Sequence, residues 1–177
     1  MNLAVPDTDY AVLTAADTLR IERLLPGSIE RVWAYLTDGE LRRQWLASGD
    51  MDQREGAPFE LVWRNDELTD PPGRRPEGFD AEHRMQSTIV AVDPPHRLVF
   101  TWGRGAEVTF DLAPRGASVL LTVTHRRLPD RATLLKVGAG WHSHLDVLVA
   151  RMRDATPGPF WDDWSRLRSD YERRIPD

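Results

Sequence analysis

The longest regular pattern of apolar side chains in this sequence lies between Thr133 and Asp154. At about 100° per residue, the apolar positions recur at i, i+3, i+4 and i+7, which predicts an amphipathic helix. Such a helix must bury its apolar stripe against another apolar surface. The stripe consists of Leu134, Gly138, Trp141, Leu145, Leu148 and Met152.

The segments before this helix show the alternation of side chains that is typical of half-buried β-strands. In the clearest case, Phe59, Leu61 and Trp63 occupy every second position and share one face of a strand. Turns that contain proline or glycine separate the later strands, a spacing typical of an antiparallel meander. The other predicted strands are Thr18–Leu25, His83–Val92, Arg97–Trp102, Ala106–Ala113 and Ser118–Arg126.

Two short helices are predicted between the first and second strands. Ser28 is a suitable N-cap for the first of them, and a further turn or two within residues 40–46 carries Trp45. The apolar face of the first short helix consists of Ile29, Val32, Trp33 and Leu36. These elements predict an α+β fold in which a curved antiparallel sheet of about six strands wraps around the long C-terminal helix.

The chain is predicted to form a single domain over residues 18–177, preceded by an arm at 1–17 that is either loose or an extra edge strand. Residues 65–82 are rich in proline, glycine and charge, and they form a longer connection than most compact domains contain. We expect this loop to be a mobile flap or a disordered insertion. A final amphipathic helix is expected within 158–175, and both segments could cover a pocket entrance.

Composition narrows the class of protein. The chain has 177 residues, of which 41% are hydrophobic and 29% charged, as in an ordinary globular domain. The lack of cysteine excludes disulfides, thiolate metal sites and a cysteine nucleophile. The net charge of −5 gives no electrostatic reason to expect nucleic acid or an anionic membrane as a partner.

We expect a cytoplasmic protein of bacterial origin. The first residues lack the basic start and apolar core of a signal peptide. No apolar run approaches the roughly 18 residues that cross a bilayer, so no membrane insertion is expected. Lys136 is the only lysine among 23 lysines and arginines, a bias typical of GC-rich bacterial genomes.

Motifs of known enzyme classes are missing. The sequence has no Gly-x-Ser-x-Gly nucleophile elbow and no His-Glu-x-x-His metal motif. Gly103 and Gly105 are not followed by the third glycine of a dinucleotide-binding loop. We therefore predict no catalytic residue, no metal site and no cofactor, and the balance favours a protein that is not an enzyme.

Four histidines are candidates for polar contacts with a ligand. His142 and His144 are two apart on the long helix, so their side chains point about 200° from each other and cannot share one metal ion. Both border the apolar stripe and are expected at the boundary with water, where His144 could contact a ligand at a pocket rim. His83 and His125 either end their strands or, if the apolar strand faces line a cavity, would fix the orientation of a ligand there.

Seven tryptophans are many for a chain of this length. Core packing accounts for most of the aromatic side chains, but large flat rings also suit planar apolar ligands. We predict that a cavity between the sheet and the C-terminal helix binds such a ligand. The residues predicted to line it are Trp33, Phe59, Leu61, Trp63, His83, Met85, Trp102, Phe110, His125, Trp141, Leu145 and Leu148.

Three blocks of this sequence resemble signatures of a known family. They are Pro26–Asp38 with the following Trp45, the turn and strand Asp93–Trp102, and the helical segment Gly140–Leu148. In this order they resemble the AHSA-like proteins, bacterial homologues of the C-terminal domain of the heat-shock-protein ATPase activator, within the START-like (SRPBCC) superfamily. The resemblance covers roughly residues 18–175 and implies a helix-grip fold, but none of the blocks is a catalytic motif.

Three functions remain open at this point. The first is non-enzymatic binding of a small hydrophobic molecule, aromatic or lipid-like. The second, which the superfamily implies, is a cyclase or hydratase that uses His83, His125 or Arg64 in the pocket. The third is a stress-related or co-chaperone role through an exposed apolar patch on the last helix. The resemblance allows a chaperone partner, although we do not expect the 16 residues before the first strand to supply the separate domain with which ATPase activators grip the chaperone.

Overall fold

A single antiparallel sheet forms the frame of the molecule. The computed structural model describes residues 7–177, and within them seven strands pair in the order β1-β2-β7-β6-β5-β4-β3. Every neighbouring pair runs antiparallel. The strands are β1 (Val12–Ala15), β2 (Thr18–Pro26), β3 (Pro58–Trp63), β4 (His83–Asp93), β5 (Arg97–Trp102), β6 (Ala106–Arg115) and β7 (Ser118–Arg126).

Side chains cap the helices where the sequence changes from strand to helix. The Ser28 hydroxyl accepts a hydrogen bond from the Arg31 amide at 3.2 Å and begins the first short helix. The Asp130 carboxylate accepts one from the Thr133 amide at 2.8 Å and begins the long helix. The helices are α1 (Ile29–Thr37), α2 (Gly39–Arg42), α3 (Arg131–Met152) and α4 (Phe160–Arg174), with 3-10 turns at Asp7–Asp9 and Asn65–Glu67.

The core lies between the inner face of the sheet and α3. Cross-strand pairing aligns the apolar side chains, for example Phe110 opposite Val123 and Phe100 opposite Val108. Trp141 of α3 meets Phe110 of β6 edge to face, with ring centroids 5.8 Å apart. The predicted stripe of α3 is buried along its whole length, by the sheet and, at Gly138, by α4.

The structure confirms the predicted fold class. All six predicted strands form, and the two short helices connect the first two of them, β2 and β3. The arm contributes β1, an edge strand paired with β2, which is one of the two alternatives predicted for it. The long helix covers Arg131–Met152 instead of 133–154, because Asp130 caps it two residues earlier than expected.

One expectation about exposure was wrong. His142 and His144 are not boundary residues, since only 0% and 6% of their surface is exposed. The cause is α4, which packs over α3: the Tyr171 hydroxyl lies 2.9 Å from His142 Nδ1, and the Phe160 ring lies 4.9 Å from the His144 ring. The patch that the co-chaperone alternative requires on the last helix is buried as well, and it consists of Phe160, Trp161 and Trp164.

Candidate functional site

A cavity of about 430 Å³ lies at one end of the sheet, between the sheet, α3 and α4. Its sheet side comes from the adjacent ends of β3, β4 and β5, and its helix side from the first half of α3 and the first turns of α4. The loop between β3 and β4 completes the wall. The lining residues are Leu46, Trp63, Asn65, Gly78, Phe79, Asp80, His83, Met85, Trp102, Thr133, Lys136, Val137, Gly140, Trp141, His144, Phe160, Trp161 and Trp164.

Three tryptophans form one wall of the cavity. Trp63 and Trp102 are on β3 and β5, and their rings meet edge to face at 5.3 Å. Trp102 also contacts Trp141 of α3, with ring centroids 5.5 Å apart. These side chains come together because the ends of β3 and β5 flank the start of β4 and α3 lies across them. The wall therefore offers flat apolar surface to a ligand.

The facing wall is built by the loop over residues 65–82 together with α4. Phe79 of this loop packs on Trp161 and Trp164, with ring centroids 5.0 and 4.9 Å away. Several hydrogen bonds fasten the loop to the helix. The Trp161 amide donates to the Pro72 carbonyl at 2.9 Å, and the Trp161 indole donates to the Asp66 carboxylate at 2.7 Å. The segment thus follows a defined course over α4, unlike a disordered insertion, and its role as a mobile flap stays a prediction.

Five of the twelve predicted cavity residues lie on the cavity wall: Trp63, His83, Met85, Trp102 and Trp141. His83 is exposed at the opening, and its ring lies 5.5 Å from the Trp63 ring. The other seven pack in the core, outside the lining, so a role for them in binding stays a prediction. They are Trp33, Phe59, Leu61, Phe110, His125, Leu145 and Leu148.

His125 lies directly behind the tryptophan wall. Its Nδ1 accepts a hydrogen bond from the Trp141 indole at 3.0 Å, and its ring meets the Trp102 ring edge to face at 5.0 Å. Burial lowers the pKa of His125 to about 3, so the ring is neutral and carries its proton on Nε2. His125 therefore positions Trp141 from behind and does not reach the cavity itself.

His144 is the buried titratable group on the cavity wall. Its Nδ1 lies 2.8 Å from the Trp45 carbonyl oxygen, which can only accept, so Nδ1 carries the proton and Nε2 the lone pair. Burial lowers the pKa of His144 to about 4, and the bond to Trp45 opposes this shift. The imidazole is therefore neutral near pH 7 and offers a hydrogen-bond acceptor.

Three exposed polar side chains, Asp80, His83 and Lys136, frame the opening of the cavity, and the less exposed Asn65 also belongs to the lining. The Lys136 ammonium lies 5.0 Å from the centre of the Phe79 ring, within the range of a cation–π contact. Within the described part of the chain, the Asn65 Oδ1 atom is buried and has no hydrogen-bond partner. These groups are where a mostly aromatic site can recognise polar atoms of a ligand.

Arg64 and Glu82 pair across the base of the loop at 2.6 Å. Their side chains are 41% and 40% exposed, and neither lines the cavity described above. They therefore form a surface ion pair. An exposed pair of this kind contributes little to stability.

The family becomes clear once the chain is compared with known proteins. The model of the family described as Activator of Hsp90 ATPase homolog 1-like protein matches residues 26–153. The chain belongs to this family. It is thereby a member of the START-like (SRPBCC) superfamily, whose fold suits a ligand-binding domain. None of the curated proteins compared with the chain matches it.

Solved structures share the fold along most of the chain. The protein encoded by gene BPP1335 from Bordetella parapertussis is 39% identical, with a TM-score of 0.78 over 94% of this chain and 90% of that one. CalU16 from Micromonospora echinospora is 22% identical, with a TM-score of 0.66 over 88% and 86% of the two chains. DynU16, from the dynemicin biosynthetic locus, is 19% identical, with a TM-score of 0.62 over 81% and 49%.

The residues that the family model matches end before α4, the helix that forms part of one cavity wall. Residue 153 follows the last residue of α3, so α4 lies outside the match. The rings of Phe160, Trp161 and Trp164 therefore lie outside the part of the chain that the family model covers. The cavity combines tryptophans from the family region with aromatic rings from outside it.

Of the six cavity residues of α3, Trp141 was predicted in the cavity and His144 at its rim, whereas the other four were missed although a signal for them exists. All six recur at i, i+3, i+4, i+7, i+8 and i+11, a helical spacing that meets the core stripe at Trp141. The core stripe is recognisable because it is apolar, whereas this stripe contains both polar and apolar residues. Its members are Thr133, Lys136, Val137, Gly140, Trp141 and His144.

Two further searches of residues 7–177 gave negative findings. None of the helices in this range is long and apolar enough to cross a membrane. No group of three or more histidine, aspartate or glutamate side chains in the same range is placed to hold a metal ion.

Proposed function

We propose that this protein binds a small, planar hydrophobic molecule, non-enzymatically, in the cavity between the sheet and the two C-terminal helices. The observation that supports this function best is the pair of facing aromatic walls, with Trp63, Trp102 and Trp141 on one side and Phe79 and Trp161 on the other. Aromatic ligands stack or pack edge to face on such surfaces. The expected cytoplasmic location in a bacterium is part of the same proposal.

The size of the cavity suits a molecule of a few fused rings or a short acyl chain. Ligand pockets for small molecules hold about 300–1,000 Å³, and this one holds about 430 Å³. Burial of about 300 Å² of ligand surface gives roughly 7 kcal/mol of favourable transfer free energy. Lost ligand freedom removes several kcal/mol, so we expect dissociation constants in the micromolar range.

The chemistry of the wall favours binding over a cyclase or hydratase reaction. His144 is its buried titratable side chain, and a pKa of about 4 makes it a weak general base near pH 7. The sequence-based alternatives fit no better, because His125 lies behind the wall and Arg64 is paired with Glu82 at the surface. His83 is exposed at the opening.

An NMR titration of the indole N–H signals tests this proposal. A panel of planar aromatics, fatty acids and sterols is added to the labelled protein. We expect saturable shifts of Trp63, Trp102 and Trp141, because their rings line the cavity. Trp33 and Trp45 serve as internal controls, since their indole groups donate to Gln53 and to the Tyr35 carbonyl away from the cavity.

Two outcomes would contradict the proposal. If no compound in the panel produces saturable shifts, the aromatic rings are packing and not a binding site. If the shifts spread equally over the cavity and the control indoles, the compounds bind non-specifically. Accumulation of a chemically altered compound during the titration would instead favour the enzyme alternative.

A further inference from the structure

Lys136 differs from two of the basic side chains around the loop, Arg64 and Arg75. Arg64 and Arg75 are engaged by Glu82 and Asp66, each at 2.6 Å. Lys136, the only lysine of the chain, makes no ion pair with any carboxylate of residues 7–177. Its ammonium group instead lies 5.0 Å from the centre of the Phe79 ring, at the opening of the aromatic cavity. A positive charge without an anionic partner at this place is available to a ligand.

Asn65 provides a second polar group in the same wall. Its Oδ1 atom is buried and lacks a hydrogen-bond donor within the described residues. Buried acceptors in native proteins are nearly always satisfied by protein or solvent groups, so an exception calls for a reason. Asn65 lines the cavity, so this unpartnered acceptor lies beside the space that a bound molecule would occupy.

We infer that the ligand is an aromatic carboxylic acid that carries a hydroxyl group, whose carboxylate binds Lys136 and whose hydroxyl donates to Asn65. The inference rests on the proposed function, because the aromatic walls must first hold the ring system. A planar ring between the walls presents its substituents at the edge, where the exposed Lys136 lies, and Asn65 belongs to the same lining. Lys136 thereby favours ligands that carry a negative charge, and Asn65 favours ligands that carry a hydrogen-bond donor.

Substitution of Asp80 should change the affinity for an anionic ligand in the direction opposite to substitution of Lys136. Its carboxylate also lines the opening and therefore repels an anion there, whereas Lys136 attracts one. Both side chains are exposed, so water and salt weaken the two effects. Lys136→Met and Asp80→Asn are therefore a matched pair: each removes one charge, and each retains a side chain of similar length.

The first experiment compares 2-naphthoate with methyl 2-naphthoate, which differ in charge at the same ring system. Binding is measured by calorimetry with wild-type protein, Lys136→Met and Asp80→Asn at low and high salt. We expect wild type to prefer the acid by roughly threefold to fivefold at low salt, the range of an exposed ion pair. Lys136→Met should abolish the preference, Asp80→Asn should increase it, and added salt should reduce it.

The inference and the proposed function fail in different ways. If neither compound binds saturably to wild type, the proposed function is contradicted. If both bind with equal affinity, or if Lys136→Met keeps the preference, only the recognition of the carboxylate is wrong. Unchanged dispersion of the indole signals confirms that each variant is folded.

A second comparison tests the hydroxyl. With 6-hydroxy-2-naphthoate in place of 2-naphthoate, we expect about fivefold tighter binding, the usual worth of one hydrogen bond to a buried acceptor. Asn65→Ala should remove this gain and leave the affinity for 2-naphthoate within about twofold. Equal binding of the two acids by wild type would overturn the role of Asn65 and leave the role of Lys136 standing.

Discussion

Gly138 and Gly140 lie two residues apart on α3 and face opposite surroundings. A Cβ atom at Gly138 would lie 3.4 Å from the Tyr171 ring of α4, in ordinary contact. A Cβ atom at Gly140 would meet nothing within 4 Å, and Gly140 lines the cavity. Glycine inside a helix costs about 1 kcal/mol relative to alanine. No steric requirement explains Gly140, so we attribute it to the open space that a side chain would fill.

Substitution of Gly140 should separate stability from binding. Gly140→Ala is expected to raise the free energy of unfolding by up to about 1 kcal/mol through helix propensity. Gly140→Leu should leave the protein folded but weaken binding of 2-naphthoate at least tenfold, because the side chain occupies the cavity. Urea unfolding and calorimetry measure the two effects. Gly138→Ala is the control, since it changes propensity without reaching the cavity; a Gly140→Leu protein with unchanged affinity would contradict our placement of the site.

Arg42 is charged, but its role is structural, because its buried guanidinium donates hydrogen bonds to backbone carbonyls. Its side chain is 1% exposed, and its guanidinium donates to the Ala47 carbonyl at 3.1 Å and to the Leu36 and Thr37 carbonyls, both at 3.3 Å. The Gly49 carbonyl accepts a fourth bond. Burial lowers the pKa of Arg42 to about 10, and the side chain remains charged near neutral pH. It ties the end of α1 to the segment that leads into β3.

We expect Arg42→Met to lower the free energy of unfolding by about 3 kcal/mol or more, because several carbonyl groups lose their donor at once. Arg42→Lys should recover only a minor part, since an ammonium cannot reach carbonyls spread over the guanidinium fork. Chemical denaturation measures both variants. A loss below about 1 kcal/mol in Arg42→Met would mean that water replaces the guanidinium.

The sequence predicted which way the aromatic side chains face better than it predicted which of them line the cavity. The sequence placed Trp63, Trp102 and Trp141 on the right faces, because alternation and helical periodicity determine facing directly. It did not distinguish Phe110, which packs in the core, from Trp102, which borders the cavity, although both point inward. That difference depends on which rings are covered by distant segments, and periodicity carries no information on this.

At the level of elements, α4 connects the two ends of the molecule. Near its start it holds the loop through the Trp161 bonds described above. Near its end, the Tyr171 hydroxyl accepts a hydrogen bond from the Ala11 amide at 2.7 Å and lies 2.9 Å from His142 Nδ1. The direction of the second hydrogen bond follows the tautomer of His142, since the hydroxyl can both donate and accept. One hydroxyl therefore joins the segment before β1, α3 and α4.

Tyr171→Phe should release the N-terminal segment while α4 stays packed. The variant leaves the Ala11 amide and His142 Nδ1 without this partner, and we expect a loss of about 1–3 kcal/mol. Amide hydrogen exchange at Ala11 should become faster relative to exchange in β6. Tyr35→Phe is the matched control, because the Tyr35 hydroxyl makes no hydrogen bond within residues 7–177. Equal effects of the two substitutions would argue against the junction.

The elements themselves were predictable, but their contacts were not. Ser28 and the strand alternation correctly placed α1 and the six main strands, since caps and periods are local signals. The burial of His142 and His144 was missed because it is caused by α4, which follows them in the chain and packs back over them. Likewise, the composition of residues 65–82 gave no sign of the bond between Asp66 and Trp161.

For the whole molecule, three buried histidines should make stability depend on pH. Burial lowers the pKa of His125 and of His142 to about 3 and that of His144 to about 4, from an ordinary value of 6.5. Below pH 6.5 the unfolded chain binds these protons and the folded chain does not, so stability is lost as the pH falls. Each group contributes about 1.4 kcal/mol per pH unit in that window.

We expect the free energy of unfolding to fall by about 4 kcal/mol between about pH 7.5 and pH 5.5, and to change little above pH 7.5. Urea unfolding at several pH values measures it. His144→Asn retains a donor for the Trp45 carbonyl and should reduce the slope by about a third. A flat profile down to pH 5.5 would show that the histidines take up protons in the folded state.

The fold and the cavity differ in how far the sequence determines them. Alternating strands followed by one amphipathic helix leave few arrangements other than a sheet wrapped around that helix. The cavity needs three further segments, the loop with Phe79, α4 with Trp161 and the mixed stripe of α3 with Lys136. They come from distant parts of the chain, and no local sequence pattern predicts that they contact each other.

The single lysine has a practical consequence. Apart from the terminal amine, Lys136 is the one amine of the chain, and it stands exposed at the opening of the cavity. Reagents that couple proteins to sensor surfaces or dyes through amines will therefore attach at this opening. Immobilisation in that way would block access to the cavity, whereas a dye placed there would report directly on its occupation.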